Sequence, residues 1–198
     1  MTDIRVLDRR ALAAAEEIVR KIDGSRPDRP TPCSEWTLAQ LLAHMVGQNH
    51  GFAAAARGAG KDLAVWADRP VGEEPAEAFA ASAAEVTAAF GEEGALERGF
   101  CLPEIRDGGP FPARTAIGFH FVDTVVHGWD VARSIGVEAE FDADVLAAVL
   151  PIAEAVPGGA ARERKGSAFR HGVPAGEGAG LLDRILALLG RDPGWTAS

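Results

Sequence analysis

The sequence predicts an all-α protein, most simply an up-and-down bundle of four main helices with additional short helices and a small irregular or hairpin excursion. Three observations carry this. Alanine and leucine dominate the long segments while β-branched residues are sparse there, a composition that favours helix over strand. Apolar residues in those segments recur at helical spacing. Recognisable start and stop signals punctuate them. With no internal repeat and no interdomain linker, residues 1–198 read as a single domain.

The first helix is expected after Asp8, taken as an N-cap, and runs to about Ile22; Leu12, Ala15, Ile18, Val19 and Ile22 define its buried stripe. Three prolines and a glycine in "DGSRPDRPTPCSE" then break the chain. The second helix has the strongest start signal. Thr37 followed by Gln40 forms a capping box, in which each side chain reaches an unpaired backbone N–H of the first turn. Trp36 and Leu41 flank it as a hydrophobic staple, and the helix continues to near Gly58 with His44 on or beside the core face. A third helix spans roughly Pro75 to Phe90, with proline at the first helical position. The segment "GEEGALERGFCLPEIRDGGPFP" reads as the excursion. The fourth and longest helix begins near Pro112 and closes at Gly136, a residue suited to a left-handed C-cap. A fifth covers about Ala143 to Ala155. A short amphipathic tail helix in "GLLDRILALLGRDPGW" stops at Gly190 and Pro193.

A net charge of −9 argues against a nucleic-acid partner, which requires clustered Lys and Arg. The one local basic cluster, Arg162, Arg164 and Lys165, is interrupted by Glu163 and reads as a solvated loop. Cys33 and Cys101 are far apart and outside any C-x-x-C pattern, which fits reduced, passive thiols. The charged N-terminus lacks the apolar run of a signal peptide, and no segment has the length of a membrane span. A soluble, cytoplasmic protein is expected.

The chemistry lies in "HFVDTVVHGWD", residues 120–130. On an α-helix, positions i and i+4 lie about 40° apart and i and i+7 about 20° apart, so His120, Asp123 and His127 project nearly the same way. Phe119, Val122, Val126, Trp129 and Val131 supply enough apolar surface to draw that helix inward. Burying a carboxylate without a partner costs on the order of several kcal/mol. Either a private hydrogen-bond network satisfies it or the face holds a metal. A carboxylate and an imidazole at i, i+4 can chelate one cation, with His44 as the ligand from elsewhere. Two imidazoles and one carboxylate suit an open zinc site or the facial triad of non-haem iron, and nickel and manganese fit the same ligands. The plainer reading is an intrahelical Asp–His contact and a core histidine. His120 is a second-shell group, a fourth ligand or a proton shuttle. His50 and His171 are assigned to the surface. Asp130 is an exposed charge, a helix anchor or the partner of a buried arginine, and Trp129 is core.

"TPCSEWTLAQLLAHMVGQ" resembles the opening of the DinB-like superfamily, in particular the actinobacterial branch related to the N-terminal domain of mycothiol-dependent maleylpyruvate isomerase. "HFVDTVVHGWDVARSIG" resembles the second signature of that branch, and "ILALLGRDPGW" the ending of one of its subgroups. The resemblance implies a four-helix bundle holding a divalent metal, usually zinc, whose ligands fall here on His44, Asp123 and His127. It also implies mycothiol as a co-substrate. Two departures limit the transfer. The isomerase carries glutamate where this chain has Asp123, and its further C-terminal domain has no counterpart in these 198 residues. Maleylpyruvate isomerisation itself is therefore not carried over.

The expectation that follows is a divalent-metal protein acting as an enzyme on a small-molecule thiol and an electrophilic substrate, a mycothiol-type transferase or isomerase. His44, Asp123 and His127 are its metal ligands and His120 its candidate for proton transfer. The alternatives are a metal-water hydrolase and a non-catalytic metal-binding or stress-response protein, the latter favoured if His120 closes the coordination sphere. A metal-free polar network is the third. A homodimer is compatible with the alanine-rich faces and the tail helix.

Overall fold

The computed structural model describes residues 2–23, 26–34, 36–105, 108–163 and 169–197. Six α-helices occur among them: α1 (Ile4–Val19), α2 (Leu38–Ala56), α3 (Pro75–Gly91), α4 (Ala113–Ile135), α5 (Ala143–Ala155) and α6 (Leu181–Leu188). Two short strands, β1 (Gly99–Phe100) and β2 (Phe111–Pro112), pair antiparallel with Gly99 opposite Pro112. The expected excursion is this hairpin, although Asp107 at its tip lies outside the described residues.

The local signals act where the chemistry places them. Thr37 and Gln40 form both halves of the capping box. Pro75 occupies the first turn of α3, and Gly136 closes α4 at φ 75°. The first helix is a correction. It starts at Ile4, capped by the Asp3 carboxylate accepting from the Arg5 N–H, and its helical span ends at Val19 rather than Ile22. Asp8 is no cap. It is 1 % exposed and faces across the bundle, and the buried stripe already includes Ile4 and Leu7.

The four long helices close into a ring in which α1 packs on α4 and α3, and α2 packs on α3 and α4. Helices consecutive in sequence, α1 with α2 and α3 with α4, sit diagonally. The long connections 20–37 and 92–112 give the chain room to cross. The core between them is largely apolar, with Leu12, Leu41, Met45, Phe52, Phe79, Phe90, Phe121 and Val125 all buried. Helices α5 and α6 pack on each other, and α5 also packs on α4. Gly47 and Gly51 let the segment at 66–68 approach α2 closely. A Cβ on Gly47 would stand 2.6 Å from the Ala67 carbonyl oxygen, and one on Gly51 would stand 2.3 Å from the Trp66 ring.

The basic cluster is a second correction. Arg164 and Lys165 lie outside the described residues, but Arg162 is buried, donating to the carbonyls of Val156, Pro157, Arg170 and Leu188. Four backbone acceptors compensate a guanidinium that would otherwise stay in water. No described helix is long and apolar enough to cross a membrane.

Candidate metal centre

Helix α2 contributes His44, and α4 contributes Asp123 and His127 one turn apart. Their ligand atoms, two imidazole nitrogens and one carboxylate oxygen, all lie within 4.8 Å of one another. The rings of His44 and His127 meet edge to face at 5.5 Å between centroids. Trp36, carried by the loop before α2, covers the pair, its ring 4.4 Å from His44 and 5.8 Å from His127. His127 is fully buried, whereas His44 and Asp123 keep a partly exposed edge.

The orientation of His127 is decided by its other nitrogen. Nδ1 lies 2.9 Å from Oδ2 of Asp130, the next turn of α4. That carboxylate is itself held bidentate by Arg191, at 3.0 Å from Nε to Oδ1 and 3.0 Å from Nη2 to Oδ2. A carboxylate gripped by a guanidinium only accepts, so Nδ1 carries the proton and donates it. Nε2 is then the nitrogen turned toward Asp123. Oδ1 of Asp123 is 3.3 Å away, within ion-pair distance but outside hydrogen-bonding geometry, and Nε2 is buried without a hydrogen-bond partner. Buried polar atoms are normally paired, and this exception sits in a cluster of ligand-type atoms.

Without an ion, the neighbouring carboxylates favour a second proton on His127. Burial works against the His127 imidazolium, yet Asp123 and Asp130 outweigh it and raise its pKa to about 9 in the metal-free chain. Burial pushes the Asp123 carboxyl up, but His127, His44 and His120 hold it down at about 2. Beside His44, Asp68 places a carboxylate oxygen 3.4 Å from Nδ1.

His120, the third member of the face, is buried at 2 % exposure and committed elsewhere. The Ser82 hydroxyl donates to the Phe79 carbonyl at 2.8 Å and accepts from the Asn49 amide at 2.9 Å. This turns the Asn49 oxygen toward His120, whose Nε2 donates to it at 2.9 Å. Nδ1 closes the chain against Oδ1 of Asp8 at 2.7 Å. The network ties all four long helices. A small cavity of about 10 Å³, near the threshold for one water molecule, separates His120 from Asp123. His50 is half-buried with Nδ1 2.7 Å from Glu85, and His171 is exposed. Of the three alternatives for Asp130, the structure selects the buried arginine. The signal for Arg191 was present only as a charge inside the apolar tail.

Residues 9–132 match the family described as the mycothiol maleylpyruvate isomerase N-terminal domain. The chain belongs to that family. It is also 29 % identical over 188 residues to two proteins of Mycobacterium tuberculosis described as uncharacterized, one from strain CDC 1551 / Oshkosh and one from strain ATCC 25618 / H37Rv. In each case the match covers 92 % of this chain and 94 % of the relative. No solved structure matches significantly. The family gives the chain a mycothiol-related context and makes the three-residue cluster a possible metal site.

Proposed function

We propose that this chain is a divalent-metal protein in which His44, Asp123 and His127 hold the ion, and that it is a metal-dependent enzyme using a low-molecular-weight thiol of the mycothiol type. The observation that carries the reading is Nε2 of His127, buried without a hydrogen-bond partner and facing the Asp123 carboxylate, among ligand atoms within 4.8 Å of one another. Two imidazoles and a carboxylate suit zinc first, with nickel, iron and manganese compatible with the same donors. A divalent ion at such a site supplies Lewis acidity, making a bound thiol acidic enough to be a nucleophile at neutral pH.

The chain's own residues do the rest. Asp130 orients His127, and Trp36 shields the imidazole pair on one side. The partly exposed edges of His44 and Asp123 leave a side from which a thiol and an electrophile can approach. His120 supports an open rather than a closed centre, because both its nitrogens are engaged by Asp8 and Asn49. A proton-transfer role for His120 requires one of those two bonds to open. This engagement is the specific observation that favours the enzyme over the non-catalytic metal-binding or stress-response alternative. Metal-water hydrolysis is the neighbouring chemistry at an open site.

The test is elemental analysis of the native chain and of His44→Ala, Asp123→Ala and His127→Ala. About one equivalent in the native protein and its loss in each variant is the expected result, by the logic of a three-ligand site. It is followed by a thiol-consumption assay with mycothiol and activated alkenes. Native protein that takes up no metal after zinc or nickel reconstitution defeats the reading.

A further inference from the structure

The geometry points to Arg191 as a positioning residue of the metal centre: acting through Asp130, it fixes the nitrogen that His127 presents to the ion. The inference rests on the metal reading above and extends the centre beyond the family-matched residues 9–132 into the C-terminal tail.

A free-standing arginine does not enter a protein core without a reason. Arg191 is 2 % exposed and ranks among the largest fully buried side chains. Its partner Asp130 is fully buried as well, and the two are separated by 61 residues. Such a pair contributes little net stability compared with apolar residues of the same shape, since both ions lose their hydration. Its value must therefore be sought in what it orients. The third member of the contact is His127: one carboxylate spends Oδ1 and Oδ2 on Arg191 and still accepts from Nδ1 of the imidazole. The order is guanidinium, carboxylate, imidazole, open nitrogen. A carboxylate behind a metal-binding histidine fixes its tautomer and raises its basicity, and losing such a group typically costs about 10- to 100-fold in metal affinity.

The tail is built to deliver this side chain. Gly190 takes φ 78°, a left-handed conformation that turns the chain after α6, and a Cβ there would stand 2.7 Å from the Arg170 backbone. The Arg191 amide then bonds back to the Leu186 carbonyl at 2.9 Å. Four residues on, the Trp195 carbonyl accepts from the Arg133 guanidinium of α4 at 2.7 Å. The tail is thus fastened to α4 at Asp130 and again at Arg133, three residues further along.

Zinc affinity, measured by competition with a chromophoric chelator, tests the proposal on full-length native chain, Arg191→Met and Arg191→Lys. The expected result is a loss of roughly 10- to 100-fold in Arg191→Met, with an altered cobalt(II) absorption spectrum. Lysine restores the charge but not the two-point grip, so Arg191→Lys falls between. Because Arg191→Met leaves the buried Asp130 carboxylate without its guanidinium, the double variant Arg191→Met/Asp130→Leu keeps the test valid if the single one does not fold. It leaves no unpaired charge, and it still loses affinity because His127 has lost its acceptor. Folded variants that bind zinc within twofold of native overturn the role of Arg191 while leaving the metal reading intact. Native chain that binds neither zinc nor cobalt overturns both.

Discussion

Oδ1 of Asp8 in α1 lies 2.7 Å from Nδ1 of His120 in α4, with both side chains buried. Removing one partner strands the other in the core. Asp8→Ala is expected to cost about 3–5 kcal/mol in urea unfolding. The double variant Asp8→Leu/His120→Phe should cost less than Asp8→Ala alone, since no charge remains. A double variant that is worse than the single would show that the Asn49 and Ser82 end of the chain, not the Asp8–His120 contact, holds the helices.

Metal removal should lower thermal stability. An ion at a hundredfold excess over its Kd stabilises by about 2.7 kcal/mol. For a chain of this size that corresponds to roughly 5–10 °C in Tm. Scanning calorimetry of native chain with and without chelator reads the difference, and His127→Ala should show none.

The metal-free chain has its own pH signature. His127 rises from 6.5 to about 9 on folding, so its contribution is complete below about 6.5 and is lost as pH rises through about 9. Asp123 falls from 3.8 to about 2, so its contribution is present above about 3.8 and is lost as pH falls through about 2. The Tm advantage of chelator-treated native chain over Asp123→Asn is therefore expected to be widest between about pH 4 and 6.5. An advantage that grows toward pH 9 would contradict the assignment.

Trp36 is placed to report on the site. Its ring lies 4.4 Å from His44, so zinc binding should change the tryptophan emission. In Trp36→Phe the change should vanish while zinc is still bound. A persistent change would locate the reporter at Trp66, Trp129 or Trp195 instead.

Gly47→Ala should disturb both packing and site. Its methyl would meet the Ala67 carbonyl at 2.6 Å and the Asp68 Cα at 3.1 Å, and Asp68 stands beside His44. Overpacking of this kind typically costs about 1–3 kcal/mol, measurable by urea unfolding. A Gly47→Ala chain as stable as native would show that the 66–68 segment yields freely.

The sequence by itself determined the elements and most of their ends. The capping box at Thr37 and Gln40, Pro75 at a helix start and Gly136 at a helix end depend on contacts within a few residues, which spacing exposes directly. It also proposed His44, Asp123 and His127, the last two by i, i+4 geometry and the first by its place near the core face of the second helix, and the resemblance pointed to the same three. Only the tertiary structure decided what each buried charge faces. Asp8 has every local mark of a cap, Asp130 fits three roles, Arg162 reads as a solvated loop residue, and Arg191 is only a charge inside an apolar tail. Their partners lie 112, 61, up to 26 and 61 residues away. Helical periodicity reports which face of a helix is buried, but a buried ion is satisfied by whichever element packs on that face. Ring order, loop crossing and the path of the tail after Gly190 set that choice, and local spacing exposes none of them.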